Sequence, residues 1–151
     1  MNERSRGITV YSIAIISFGV YNLMGVGNYG QFSLMFKGLP SVVIAAAYVF
    51  TILYGICAVY CGIRILKLED WARKTIVGLA AVSVISGFLL NRTVMTNLKN
   101  FLMTEESQIT ADMVAPVYTY AVVFVALVTV FELSLIYYFT RPGVISQFRR
   151  R

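Results

Sequence analysis

Four long apolar stretches, separated by short polar segments, set the pattern of this chain. They cover about 8–27, 42–66, 71–90 and 115–139. An α-helix needs about 20 predominantly apolar residues to cross the roughly 30 Å hydrocarbon layer of a bilayer. Each stretch meets or exceeds that length, and the second is long enough to need tilt or to project into the headgroups. The pattern predicts an all-α, polytopic membrane protein. Its four transmembrane helices form an up-down bundle, and residues 1–151 make one integral membrane domain. The basic start before the first run also describes a signal peptide. The run is longer than such an apolar region, however, and no small-residue cleavage pattern closes it, so an uncleaved span is expected.

The polar segments between the runs have recognisable roles. Cys61 to Lys74 is the one mid-chain place where charges of both signs crowd together. Arg64 and Lys67 suit a helix C-terminus, where backbone carbonyls lack partners. Asp70 stands where an N-cap is wanted before the third run. Trp71 is expected as an interface anchor, because indole prefers the headgroup level. Arg73 and Lys74 are expected to snorkel to the same surface. Between the first two runs, Tyr29, Phe32 and Phe36 are expected to rest at the interface, and Pro40 precedes the second span. The longest connection is 91–113. In it Val94, Leu98, Phe101 and Leu102 recur at helical spacing and predict a short amphipathic helix on the outer surface. Asn91-Arg92-Thr93 matches a glycosylation acceptor pattern, best read as a chance match. Pro116 fits the first turn of the fourth span. Arg141-Pro142-Gly143 ends that span, and Val144, Ile145 and Phe148 then predict a small interfacial foot.

Composition agrees with the pattern. Hydrophobic residues make up 58% and charged residues 13%, against about 45–50% and about 25% in soluble domains. The surplus has to face lipid. The net charge of +6 sits mainly in the two tails and one turn, which favours anionic headgroups as partners and excludes a nucleic-acid role. Ten cations (Arg4, Arg6, Arg64, Lys67, Arg73, Lys74, Arg141, Arg149, Arg150, Arg151) fall on one side of the spans, and three (Lys37, Arg92, Lys99) on the other. The positive-inside rule then predicts cytoplasmic termini and a cytoplasmic Trp71 turn, with Glu105, Glu106 and Asp112 outside.

Few residues offer chemistry. Histidine is absent, which removes the usual zinc and haem ligands and the usual general base. Cys57 and Cys61 share one helical face with Tyr54 and Arg64 but provide too few soft ligands for a metal, so they read as small packing residues. No metal and no cofactor are expected. Ala80, Ser83 and Gly87 place small side chains on one stripe of the third span, where a neighbouring helix can approach. Tyr118, Tyr120, Tyr137 and Tyr138 suit interface anchoring near the ends of the fourth span.

Glu132 is the one ionisable residue deep in an apolar run. It lies nine residues before Arg141, about 13 Å along a helix. A lone carboxylate there is costly, about 3 kcal/mol on insertion scales. It should face the bundle interior and be paired, hydrogen-bonded or protonated. Arg64 and Arg73 are candidate partners, and a hydrogen bond to Tyr or Ser that ties the fourth span to the second is the alternative.

Two segments resemble parts of small, uncharacterised four-helix inner-membrane proteins of bacteria. They are Gly62-Ile-Arg-Ile-Leu-Lys-Leu-Glu-Asp-Trp-Ala-Arg73 and Tyr137-Tyr-Phe-Thr-Arg-Pro-Gly-Val-Ile-Ser-Gln-Phe148. In such proteins a Trp-Ala-Arg turn joins the second and third spans, and a Tyr-x-x-Thr-Arg-Pro-x-Val-x-x-Gln-Phe segment closes the fourth. The resemblance implies the architecture and a bacterial plasma-membrane location, and it carries no activity. Gly143 replaces a residue that is more often charged in that group, which should loosen the foot.

No nucleophile, base and orienting group stand out together, and no phosphate-binding or dinucleotide fingerprint occurs. The expectation is a protein that is not an enzyme. It would serve as an accessory or structural component through helix contacts with its own copies or with a partner membrane protein. The alternative is an oligomeric small-solute or ion transporter with Glu132 as the intramembrane coupling site. A cavity at Glu132 would favour the transporter, and a dry helix contact there would favour the accessory protein.

Overall fold

The computed structural model describes residues 6–25, 29–102 and 111–149. Six helices occur among them: α1 Arg6–Gly25, α2 Tyr29–Met35, α3 Ser41–Leu66, α4 Asp70–Leu102, α5 Ala111–Thr140 and α6 Pro142–Arg149. No strand occurs among the described residues. The fold is all-α, and α1, α3, α4 and α5 are long and apolar enough to cross a membrane. These four follow the expected runs. Arg4, Asn28, Glu105, Glu106, Arg150 and Arg151 lie outside the described residues, as do the side chains of Phe101, Leu102, Asp112 and Arg149.

The closest helix pair is α1 on α3, and it is built on glycine. A Cβ on Gly19 would stand 2.8 Å from the Gly55 carbonyl oxygen, and one on Gly62 would stand 3.1 Å from the Ser12 carbonyl oxygen. Without side chains at these points the two backbones come together, as small residues allow in lipid, where the hydrophobic effect does not drive helices together. α1 reaches α5 differently, through rings. Tyr11 stacks on Tyr138 at 4.5 Å, Phe18 lies 5.8 Å from Phe131, and Tyr21 lies 5.7 Å from Phe124. Offset and edge-on ring pairs of this kind are favourable beyond their buried area. The core follows one end of the bundle, with Ile8, Ile15, Ile65, Ile76, Leu135 and Phe139 fully buried.

Several local expectations change. α4 does not stop near Leu90. It continues to Leu102 as one 33-residue helix, about 50 Å long and so longer than a bilayer core. No proline or glycine stands between Gly87 and Leu102 to end it. The expected surface helix is therefore the last turns of α4, and they pack on α2. Asn97 Nδ2 donates to the Lys37 carbonyl at 2.8 Å. The preceding connection is itself helical, with Tyr29 and Phe32 set edge-on to Tyr48 of α3. Pro116 lies inside α5, not at its start. It is the sixth residue of the helix, so its missing N–H removes one backbone bond. α6 is formed despite Gly143, and Val144 and Phe148 are buried in the core instead of lying on the interface.

The α3–α4 turn closes by backbone bonds around a leucine. Leu68 N donates to the Ile65 carbonyl at 2.9 Å and Glu69 N to the Arg64 carbonyl at 3.2 Å, the Schellman pattern. The residue at its left-handed position is Leu68, φ 60°, where glycine is usual. That conformation costs a non-glycine residue about 1–2 kcal/mol. Leu68 is buried, and a buried leucine contributes about 1.5–3 kcal/mol, enough to offset the strain.

Candidate functional site

Glu132 projects from the C-terminal third of α5 and is 3% exposed. Tyr54 of α3 donates its hydroxyl to Glu132 Oε1 at 3.2 Å, and Ser83 of α4 hydrogen-bonds the same carboxylate. One side chain thus ties three helices together. Hydrogen bonding is what a buried polar group needs to offset its lost solvation. Ser83 was expected to be a small contact residue. Its hydroxyl in fact serves the carboxylate. In the same stripe Ala80 is buried, whereas Gly87 is exposed with open space around it.

A cavity of about 190 Å³ adjoins the carboxylate, and all four long helices contribute to its wall. Thr51, Tyr54, Ser83, Asn22 and Glu132 supply its polar groups, and Phe18, Tyr21, Phe50 and Phe124 supply rings. Among the described residues that line it, none is cationic. Tyr21 and Phe124 are 57% and 37% exposed, so the cavity opens between α1 and α5, the pair held apart by its rings. The wall extends from Glu132 toward Phe124 on α5, away from the α3–α4 turn.

Neither candidate arginine reaches Glu132, because each is used at the turn. Arg64 pairs with Glu69 at 3.0 Å, donates to the Tyr60 hydroxyl at 2.8 Å, and lies over the Tyr60 ring. Arg73 does not snorkel. It is 7% exposed and grips Asp70 Oδ1 through Nε and Nη2, both at 2.8 Å. Its Nη1 donates to the Phe139 carbonyl at 2.8 Å, and the guanidinium lies 5.7 Å from the Phe148 ring. A cation at the carbonyl end of α5 meets the negative pole of the helix dipole. Arg73 is thus a clamp joining α4, α5 and α6. Asp70 is occupied with Arg73 and Lys74 and is the first residue of α4, so it is not the N-cap that the sequence suggested.

Trp71 stands half-exposed at the turn, with its indole N–H donated to Glu69 Oε2 at 2.7 Å and its ring 5.7 Å from Tyr60. Partial desolvation acts against it, but hydrogen bonds from Trp71 and Arg64, with the charge of Arg64, hold the Glu69 carboxyl below the usual carboxylate range. Cys57 and Cys61 are both free thiols, and Cys61 belongs to the core.

The tyrosine that holds Glu132 and the rings of the cavity were not singled out from the sequence as a site. Spacing offered a signal. Phe124, Phe131 and Tyr138 recur every seven residues on α5, and Phe50 and Tyr54 lie four apart on α3. Comparison with protein-family models, curated proteins and solved structures finds no match to this chain.

Proposed function

We propose that this chain is a multi-pass protein of the bacterial inner membrane, with both termini cytoplasmic, that takes a small solute or ion at Glu132. The location rests on the resemblance of its turn and C-terminal segment to bacterial inner-membrane proteins, and on the ten-to-three division of cations. The solute reading rests on one observation: a buried carboxylate on the wall of a cavity of about 190 Å³, with no cation among its described lining residues. A purely structural carboxylate needs no such space. Four spans make a narrow path, so the transport-competent form is an oligomer of this chain.

The experiment is flux in vesicles. Purified protein is reconstituted, a pH gradient and a diffusion potential are imposed with and without sodium and small organic cations added, and proton movement is followed with an entrapped dye. Flux above protein-free vesicles that disappears in Glu132→Gln supports the reading. An unchanged flux in that variant, or none in the parent, overturns it. The amide keeps the shape and accepts hydrogen bonds from Tyr54 and Ser83, so size-exclusion profiles of the two proteins should agree.

A second reading, an accessory protein acting through helix contacts with itself or a partner, is favoured by the tie that Glu132 makes between α3, α4 and α5. In that case Glu132→Leu, which deletes the tie, lowers thermal stability while vesicles show no flux. A partner that co-purifies in mild detergent would identify what it serves.

A further inference from the structure

We propose that the cleft beside Glu132 binds a small organic ammonium ion, which takes the place of a proton on the carboxylate. This rests on the reading of Glu132 as a solute site and names the chemistry of the solute.

The wall has the two parts that such an ion requires. A carboxylate at its inner end offers a full countercharge, and four further rings (Phe18, Tyr21, Phe50 and Phe124) share the wall with Tyr54. Aromatic faces attract cations through the negative face of their quadrupole, most strongly where water is excluded, and they suit alkylated ammonium groups, which are weakly hydrated. A hard inorganic cation needs a shell of several oxygens. Here Thr51 and Asn22 are each tied back to their own helix, donating to the Ala47 and Phe18 carbonyls, and five of the ten lining residues are aromatic, so the wall presents rings more than a ready-made oxygen shell. Size agrees. A cavity of about 190 Å³ is a little larger than the roughly 150 Å³ engineered cavity that takes up benzene. A compact tertiary or quaternary ammonium fits that space, and a large dye does not.

Charge neutrality sets the coupling. An ionised carboxylate that far inside a membrane is costly without a countercharge. With the cleft empty of cations, the carboxyl proton supplies neutrality. When an ammonium enters, the carboxyl O–H breaks, its proton leaves to water, and the carboxylate keeps the electron pair and faces the bound cation. The titratable groups that face Glu132 across the cleft are the Tyr54 hydroxyl from α3 and, further out, the Tyr21 hydroxyl from α1; α4 contributes the Ser83 hydroxyl. None of these brings a positive charge that would hold the carboxylate ionised on its own. One ammonium bound therefore releases one proton.

The test uses the full-length protein in detergent and tetraethylammonium as the probe, by titration calorimetry in two buffers of different ionisation heat. The inference expects binding, proton release seen as a buffer-dependent heat, affinity lower by about tenfold or more in Glu132→Gln, and a several-fold loss in Phe50→Leu, which removes a ring and keeps an apolar side chain. Sodium at equal concentration should not compete. Thermal melts of both variants confirm that they are folded. No tetraethylammonium binding, or equal binding by parent and Glu132→Gln, overturns the inference. If that happens while Glu132-dependent proton or sodium flux persists in vesicles, the ammonium is wrong and the solute site stands. If binding and flux are both absent, both readings fall.

Discussion

At the scale of single residues, the two arginines near Glu132's end of the bundle do opposite jobs from the ones their positions suggest. Depth along the helix placed both within reach of Glu132. Side-chain direction sends both to the turn. That direction depends on how α4 rotates against α5, which periodicity alone does not fix. Glu132 itself was legible, because a lone carboxylate in an apolar run has to turn inward, and a hydroxyl partner was one of the two options its chemistry allowed. Arg73 carries a testable consequence. Three nitrogens of its guanidinium are engaged, two on Asp70 and one on the Phe139 carbonyl. Lysine offers one nitrogen and cannot reproduce that fork. Arg73→Lys should lower the melting temperature in detergent clearly, and Arg73→Ala should cost about 1–3 kcal/mol by removing the donor to the buried Phe139 carbonyl, while Asp70 keeps Lys74. Near-parental melting of Arg73→Lys would remove the clamp. Glu69 gives a pH prediction. A carboxyl held low in the folded turn stabilises it fully above its unfolded range, and that contribution is lost as pH falls through its folded range. Trp71 is the sole tryptophan, and its indole N–H is bonded to Glu69. Its fluorescence should shift as pH drops below the ordinary carboxylate range and be insensitive to pH there in Glu69→Gln.

At the scale of helices, the apolar runs were readable because a bilayer imposes a minimum length. The ends were less readable. α4 overran its expected end because hydropathy falls at Asn91 while helix propensity does not, and a helix that leaves the bilayer core needs only a neighbour such as α2 to continue. The turn was recognised by its charges, but its closing residue was not, since Leu68 takes a conformation usually signalled by glycine. The α1–α3 contact was written in paired spacings, Ser12 with Gly19 and Gly55 with Gly62, each seven residues apart. The small-residue stripe of the third span is the more visible pattern in the sequence, yet the glycines that meet backbone are those of α1 and α3. Gly55→Leu tests this contact. A Cβ there already falls 2.9 Å from the Leu23 side chain and 3.2 Å from the Gly19 carbonyl. Leucine should force α1 off α3 and cost about 1–3 kcal/mol, seen as a lower melting temperature and a broadened size-exclusion peak. Gly87→Leu, made where a side chain meets open space, is the control and should melt like the parent.

At the scale of the whole molecule, the asymmetry between the two ends joins the fold to its orientation. The α3–α4 turn and α6 meet at one end, where Arg73 links them to the close of α5. The opposite end holds α2 and the last turns of α4. The cleft extends from Glu132 toward that opposite end, so orientation decides from which side a solute would approach it. If the cation-rich end is cytoplasmic, the cleft points outward. Cysteine labelling decides this. In a background with Cys57 and Cys61 replaced by alanine, a cysteine at Ser33, in α2, should react with a membrane-impermeant thiol reagent added to intact cells. Cysteines at Glu69, in the turn, and at Ser146, exposed on α6, should react only after the cells are permeabilised. Ser146 is the more informative of the two, because it lies on the far side of Arg141 from the last span and takes no part in the turn. Labelling of Ser146→Cys in intact cells, with Ser33→Cys silent until permeabilisation, would invert the molecule. The cleft would then open toward the cytoplasm, and the ten-to-three division of cations would cease to be evidence for its topology.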